Sequence, residues 1–331
     1  MKIAVTGGTG FIGSHFVEAL LARGDSVRIL TRDKVASSSG VATQTTSQSP
    51  QKVYISCNYD RIDSISSAID GCDWVIHLAA ALRATNQSQL PAINRKSTEN
   101  LLTAIQTRSV PPKLLLCSSQ AAAGPARRSV PLTDDDPAQP ISWYGKSKRA
   151  QEEVVLAAGN SLWWTVLRPP AVFGPREKDI FVFFRVLSRG WSTRIGNVKR
   201  QFSWIYVTDF IEAILSVMDS DACRNQINFV KSGDTDWEEF RAAAAEALQV
   251  KYRVVTMPET FAKLVANFSE FATNFTGKPA LLNRDKILEL SYSDWRCDDT
   301  AFRHLTGLTN RTSLKIALQE TIDWYRMEKW L

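Results

Sequence analysis

A chain of 331 residues with 44% hydrophobic and 22% charged side chains can bury a large core, which excludes a disordered or fibrous polypeptide. No run of about 18 uninterrupted apolar residues exists to span a bilayer. The net charge of +6 sits partly in short clusters such as Arg127-Arg128 and Lys199-Arg200, which suit solvated surface or a phosphate-bearing small molecule. A nucleic-acid partner would need a longer basic stripe interleaved with aromatics, which is missing. The cysteines Cys57, Cys72, Cys117, Cys223 and Cys297 are odd in number and form no C-x-x-C pair, so reduced, buried thiols are expected. His15, His77 and His304 lie at no ligand spacing, so no metal site is expected.

The opening MKIAVTGG passes from a short apolar run straight into glycine, which reads as a first strand rather than a signal peptide and implies a cytoplasmic protein. Strands follow at 2–5, 26–30, 52–55, 74–78, 114–117 and 164–167, and helical spacing occupies 12–23, 62–69, 93–106 and 144–157 between them. This alternation predicts an α/β fold, a Rossmann-type doubly wound parallel sheet that binds ligands outside the carboxyl ends of its strands. The Ser/Thr/Gln-rich stretch 36–51 reads as a loop, either a tolerated insertion or a lid. After Pro169 the rhythm gives way to longer loops, aromatic-rich pieces and helices over 236–248 and 313–327. Residues 1–168, with returning segments near 204–230, are therefore expected to form the dinucleotide domain, and 169–331 mainly a smaller C-terminal substrate-binding lobe.

The turn Thr6-Gly7-Gly8-Thr9-Gly10-Phe11-Ile12-Gly13 lies between the first strand and the first helix. Glycines there permit a sharp bend and let backbone N–H groups reach a pyrophosphate at the helix N-terminus, so Gly7, Gly10, Phe11, Ile12 and Gly13 are expected against the cofactor. The second strand ends at Arg32-Asp33. A basic residue there pairs with the 2′-phosphate of NADP, the preferred expectation, while Asp33 keeps NAD open.

Tyr144 and Lys148 stand four apart at a helix start and share a face. A free tyrosine titrates near about 10, and a nearby ammonium together with an oxidised nicotinamide would lower that value. Tyr144 could then exchange a proton with a hydroxyl or carbonyl oxygen, worth roughly 10²–10⁴-fold in rate.

With TGGTGFIGSH at 6–15, DWVIHLAA at 73–80, NRKSTENLL at 94–102, CSSQAAAG at 117–124, YGKSK at 144–148, LRPPAVFGP at 167–175 and WIYVTDFIEAI at 204–214, the chain resembles the extended short-chain dehydrogenases/reductases nearly end to end. That superfamily includes the NAD-dependent epimerases and dehydratases. The resemblance implies Ser119 as the hydroxyl partner of Tyr144 and Lys148, and Asn94 as the asparagine that helps hold a relay water and the Lys148 geometry. It also implies cofactor contacts at Leu78, Ala79 and Ala80 and along the loop from Pro169 to Val172, and a possible homodimer through the helices at 93–106 and 144–157. The adenine-side aspartate is replaced by a choice between Asn58 and Asp60.

Gln120 and Ala121 stand where the dehydratases carry an Asp-Glu pair, which argues against dehydration. Phe202 falls where sugar-nucleotide epimerases carry a diphosphate-binding arginine, with Arg200 two residues away as a possible substitute. The tail from 276 to 308 resembles the branch of 3β-hydroxysteroid dehydrogenases and dihydroflavonol-type reductases, which implies a bulky apolar substrate. Phe173, Phe181, Phe183, Phe184, Trp191, Trp204, Phe261, Phe268, Phe271 and Phe275 are candidates for its pocket or for core. The expectation is an NADP-preferring oxidoreductase acting on a secondary alcohol or ketone, with a nucleotide-sugar epimerase as the alternative. A cofactor-sensing protein without turnover is disfavoured by the joint presence of Ser119, Tyr144 and Lys148.

Overall fold

The computed structural model describes residues 1–32, 50–82, 84, 86–127, 129–258, 260 and 284–331. The Ser/Thr/Gln-rich stretch lies outside them apart from Pro50 and Gln51, as do Asp33, Arg128, Phe261, Phe268, Phe271, Phe275 and the start of the tail over 276–283.

Six strands of the first half, β1 (Lys2–Thr6), β2 (Ser26–Thr31), β3 (Lys52–Ser56), β4 (Trp74–His77), β5 (Lys113–Cys117) and β6 (Trp164–Arg168), are joined by a seventh at Gln226–Phe229. They form one sheet in the order β3-β2-β1-β4-β5-β6 with Gln226–Phe229 beyond β6, every neighbouring pair parallel. Chain order reverses between β1 and β4, which opens a crevice at their carboxyl ends, the place where such sheets take ligands.

The strands are apolar on both faces because helices cover both. Leu115 of β5 packs with Phe16, Phe210 and Ile214 on one side, while Leu114 and Leu116 pack with Leu101, Ile105 and Val155 on the other. Helix α1 (Phe11–Ala22) and the Val207–Met218 helix lie against each other on the first face. The helices Ile62–Ala68, Leu90–Gln106 and Trp143–Leu156 contribute to the second. The Leu90–Gln106 helix begins three residues before its apolar period, since Pro91 is tolerated in a first turn.

Between β6 and Gln226–Phe229 the chain leaves the sheet, then returns through Val207–Met218. The excursion and the C-terminal part build a second sheet, in which Gln201–Tyr206 pairs with Ala171–Phe173, Gly233–Asp236 and Asp294–Trp295. Its core is aromatic: Phe173, Phe184, Trp204, Phe240 and Tyr325 are buried together. Among the described residues no helix is long and apolar enough to cross a membrane.

Candidate active site

A cavity of about 1540 Å³ runs along the carboxyl edge of the large sheet and under the second one. One end is the glycine turn. Gly7 has φ +71°, and a Cβ there would lie 2.9 Å from the Ala79 nitrogen. A Cβ on Gly13 would lie 2.1 Å from the Gly7 oxygen, so any larger residue pushes α1 off the turn. Gly10 caps α1 with no side-chain hydrogen bond, and no acidic residue occupies its first turn. The unpartnered amide end and its dipole therefore face the cavity at Phe11, Ile12 and Gly13. This bend with no room for a Cβ, ahead of an open helix N-terminus, fits a dinucleotide pyrophosphate.

Along that side, Arg32, Asn58 and Asp60 all line the cavity. Asn58 Oδ1 accepts from the Asp60 N–H at 2.9 Å, a local turn that brings both candidates for the adenine end to the same rim. Leu78, Ala79 and Ala80 line the floor beyond β4, and Pro169 and Val172 the opposite edge.

Past the end of β5, Ser119 caps the short turn Gln120–Ala122 and its Oγ accepts from the Ala121 N–H at 3.2 Å. The Trp143–Leu156 helix starts at the Ser142 cap and presses on that turn, with no space for a Cβ on Gly145, which would lie 2.3 Å from the Ala121 oxygen. This approach sets Tyr144 beside Ser119 on the cavity, where the Ser119 side chain favours the phenolate. Lys148 lies deeper, donating from Nζ to the Cys117 carbonyl at 2.7 Å and to Gln151 Oε1 at 3.1 Å.

Burial, assisted by the Cys117 thiol and the Glu289 carboxylate, holds the Tyr144 phenol above the ordinary tyrosine range, and the ammonium of Lys148 alone does not bring it down. Asn94 Oδ1 accepts from the Ala81 N–H at 2.7 Å, and its Nδ2 donates to the Ala81 carbonyl at 3.0 Å and to Ser147 Oγ, next to Lys148 in the chain, at 3.1 Å. Asn94 thus ties the segment after β4 to the helix that carries Tyr144.

The profile described as the NAD dependent epimerase/dehydratase family matches residues 3–229, from β1 through the last strand of the large sheet. The chain belongs to this family. It is an NAD(P)-dependent enzyme of the extended short-chain dehydrogenase/reductase type. It is 24% identical over 337 residues to the ceramide reductase of Caulobacter vibrioides, covering 99% of this chain and 96% of that protein. To the decarboxylating sterol-4-alpha-carboxylate 3-dehydrogenase of Dictyostelium discoideum it is 31% identical over 215 residues, 62% of this chain and 63% of that protein. The crystal structure of the Thermotoga maritima UDP-glucose 4-epimerase with UDP-glucose shares the fold, with a TM-score of 0.77 at 21% identity over 99% of this chain and 100% of that one.

This epimerase/dehydratase-family enzyme has its own far wall. Phe202 lines the cavity and packs its ring 4.9 Å from Trp237 and 5.8 Å from Phe240. Arg200 also borders the cavity, but its guanidinium Nε and Nη1 donate to the carbonyls of Leu290 and Ile195 at 2.5 and 2.6 Å. Gln120 borders the cavity but is buried and donates to the Trp295 carbonyl at 2.8 Å, so it joins the two sheets and, as an amide, supplies no acid there. Phe173 and Trp204 are core residues that also line the cavity, Phe184 is in the core, and Trp191 is exposed.

Several buried groups around the site have no role assigned by the sequence alone, although His77, Thr98, Ser118 and Arg168 lie within the segments that carry the resemblance. Ser118 Oγ donates to Glu152 Oε1 at 2.6 Å, and Arg168 grips both oxygens of Glu152 at 2.8 Å. His77, Thr98 and Gln151 form a second polar cluster beneath Lys148. The spacing of Gln151 three residues after Lys148, on the same helix face, was the one available signal.

Proposed function

We propose that the protein is an oxidoreductase that interconverts a secondary alcohol and a ketone on a bulky apolar substrate. The apolar wall carries this reading: Phe202 sits among Trp237 and Phe240, and the nearby guanidinium of Arg200 is tied to backbone carbonyls. A nucleotide diphosphate would find little to pair with there, whereas a hydrocarbon body would be desolvated. Relatives named for ceramide and for a sterol carboxylate support the same substrate class.

Bound nicotinamide supplies or accepts the hydride. In reduction, Tyr144 donates its phenolic proton to the carbonyl oxygen while the Ser119 hydroxyl hydrogen-bonds the same oxygen. In oxidation the phenolate takes the proton back. The elevated Tyr144 pKa favours the protonated form, so the reading assigns ketone reduction to neutral pH and alcohol oxidation to an alkaline limb. Arg32, on the rim at the end of β2, supports NADP over NAD.

The test is net NADPH oxidation by the purified protein against a panel of long-chain and polycyclic ketones, with UDP-sugars alongside. Turnover on the apolar ketones, reduced roughly 10²–10⁴-fold in Tyr144→Phe with cofactor affinity retained, is the expected result. Interconversion of UDP-sugars without net redox, or full activity in Tyr144→Phe, would overturn it.

A further inference from the structure

The Lys148 ammonium is buried and has three N–H donors to place. One goes to the Cys117 carbonyl and one to Gln151 Oε1, which leaves the third for the cavity that Lys148 lines. Gln151 is itself buried, and its carboxamide is locked: Nε2 donates to Thr98 Oγ1 at 2.9 Å, so Oε1 has to face the ammonium. The Thr98 proton is committed to the Asn94 carbonyl at 2.9 Å. His77 Nε2 lies 3.2 Å from Thr98 Oγ1 and 3.3 Å from Gln151 Nε2, and its Nδ1 lies 2.7 Å from Thr6 Oγ1. Thr6 Oγ1 in turn accepts from the Ala79 N–H at 3.1 Å. One satisfied chain of hydrogen bonds thus links the ammonium to the strand end that lines the cofactor side of the cavity.

We propose that Gln151 is a positioning residue: its locked carboxamide aims the Lys148 ammonium at the part of the cavity shared by Tyr144 and the cofactor. That the aimed ammonium serves Tyr144 rests on the oxidoreductase reading; the aiming itself does not. The charged and titratable groups acting on Lys148 are the Cys117 thiol on β5, His77 on β4 and Glu152 on its own helix, and Tyr144 lines the same cavity. Burial pushes Cys117 up, and burial with the ammonium nearby pushes His77 down to about 3, so both are neutral at physiological pH. Glu152 is shared with Arg168. Gln151 is accordingly the one neutral acceptor through which a side-chain change can alter the ammonium without touching the phenol.

The experiment is titration of Lys148 in the cofactor-free protein by heteronuclear NMR with ε-labelled lysine, the signal assigned by its loss in Lys148→Met. Gln151→Glu places an unshared counter-charge 3.1 Å away and is expected to raise the Lys148 titration by about one pH unit or more. Gln151→Met removes the acceptor at similar volume and is expected to lower it. The half-maximum of alcohol oxidation should move to higher pH in Gln151→Glu, because a better-neutralised ammonium favours the phenolate less. Should Gln151→Met not fold, Thr98→Val, which unlocks the carboxamide while leaving Gln151 Oε1 in place and also gives up the Thr98 contacts with His77 and the Asn94 carbonyl, must lower the titration instead. An unmoved Lys148 titration in folded variants overturns the proposal. A wild-type protein without carbonyl redox but with these shifts overturns the oxidoreductase reading alone.

Discussion

The floor of the cavity and its far wall are built on opposite rules. Beneath Tyr144 and Ser119 lie buried polar and charged groups, Thr6, His77, Thr98, Lys148, Gln151, Glu152 and Arg168, each with named hydrogen-bond partners. Across the cavity, Phe202, Trp237 and Phe240 meet through ring contacts, and even the buried Trp204 Nε1 has no partner. A hydrogen-bonded floor holds atoms in one geometry, as proton transfer requires. A ring-packed wall sets shape and dryness and tolerates change in the body that lies on it. On the proposed reading, the chemistry resides in the floor and the choice of substrate in the wall.

The floor breaks hardest at its ion pair. Glu152→Ala leaves the Arg168 guanidinium buried without its carboxylate and strands Ser118 beside Ser119, the proposed partner of Tyr144. A loss of about 3–5 kcal/mol in unfolding free energy is expected from denaturant titration. A loss no larger than that of an ordinary surface substitution would show that the helix bearing Tyr144 is held by packing alone.

Acid should weaken the floor next. The folded-state pKa of His77 is about 3 against 6.5 in the unfolded chain. Between those values the unfolded chain binds a proton that the native protein refuses, so stability falls as pH descends, by about 1.4 kcal/mol per pH unit. The wall has no titratable group among its rings and adds nothing to that slope. Comparing the pH dependence of unfolding in wild type and His77→Gln isolates the contribution; identical slopes below pH about 6 would mean that His77 is not the group that charges.

How much of this was legible differs between the two regions. The six strands β1 to β6 end within about a residue of their apolar runs; all but the half-exposed edge strand β3 are largely buried, and such strands announce themselves locally. Gly7, Gly13, Tyr144 and Lys148 were readable for the same reason: their function needs a fixed local spacing. The rest depends on residues distant in sequence meeting in space. Asn94 turned out to hold Ala81 and Ser147, and Gln151 to meet His77 and Thr98, contacts that no periodicity encodes. In the second lobe, aromatic content alone could not separate Phe184 in the core from Phe202 on the cavity. Ring contacts are interchangeable in sequence, and only the packing decides which faces inward.

The wall gives the smallest and most selective effect. Phe202 is partly buried and hydrogen-bonds nothing through its ring, so Phe202→Ala removes apolar contact with Trp237, Phe240 and the bound substrate without disturbing Ser119, Tyr144 or Lys148. Uniform binding is lost when a contact is equally strong in ground and transition states, and the signature is a higher KM at unchanged kcat. For the best apolar ketone the expected rise in KM is about tenfold, equivalent to about 1.4 kcal/mol, with little change for a small ketone too short to reach the ring. If kcat fell instead and KM held, the ring would be acting on the geometry of Tyr144, and the division between a chemical floor and a selecting wall would not hold at this position.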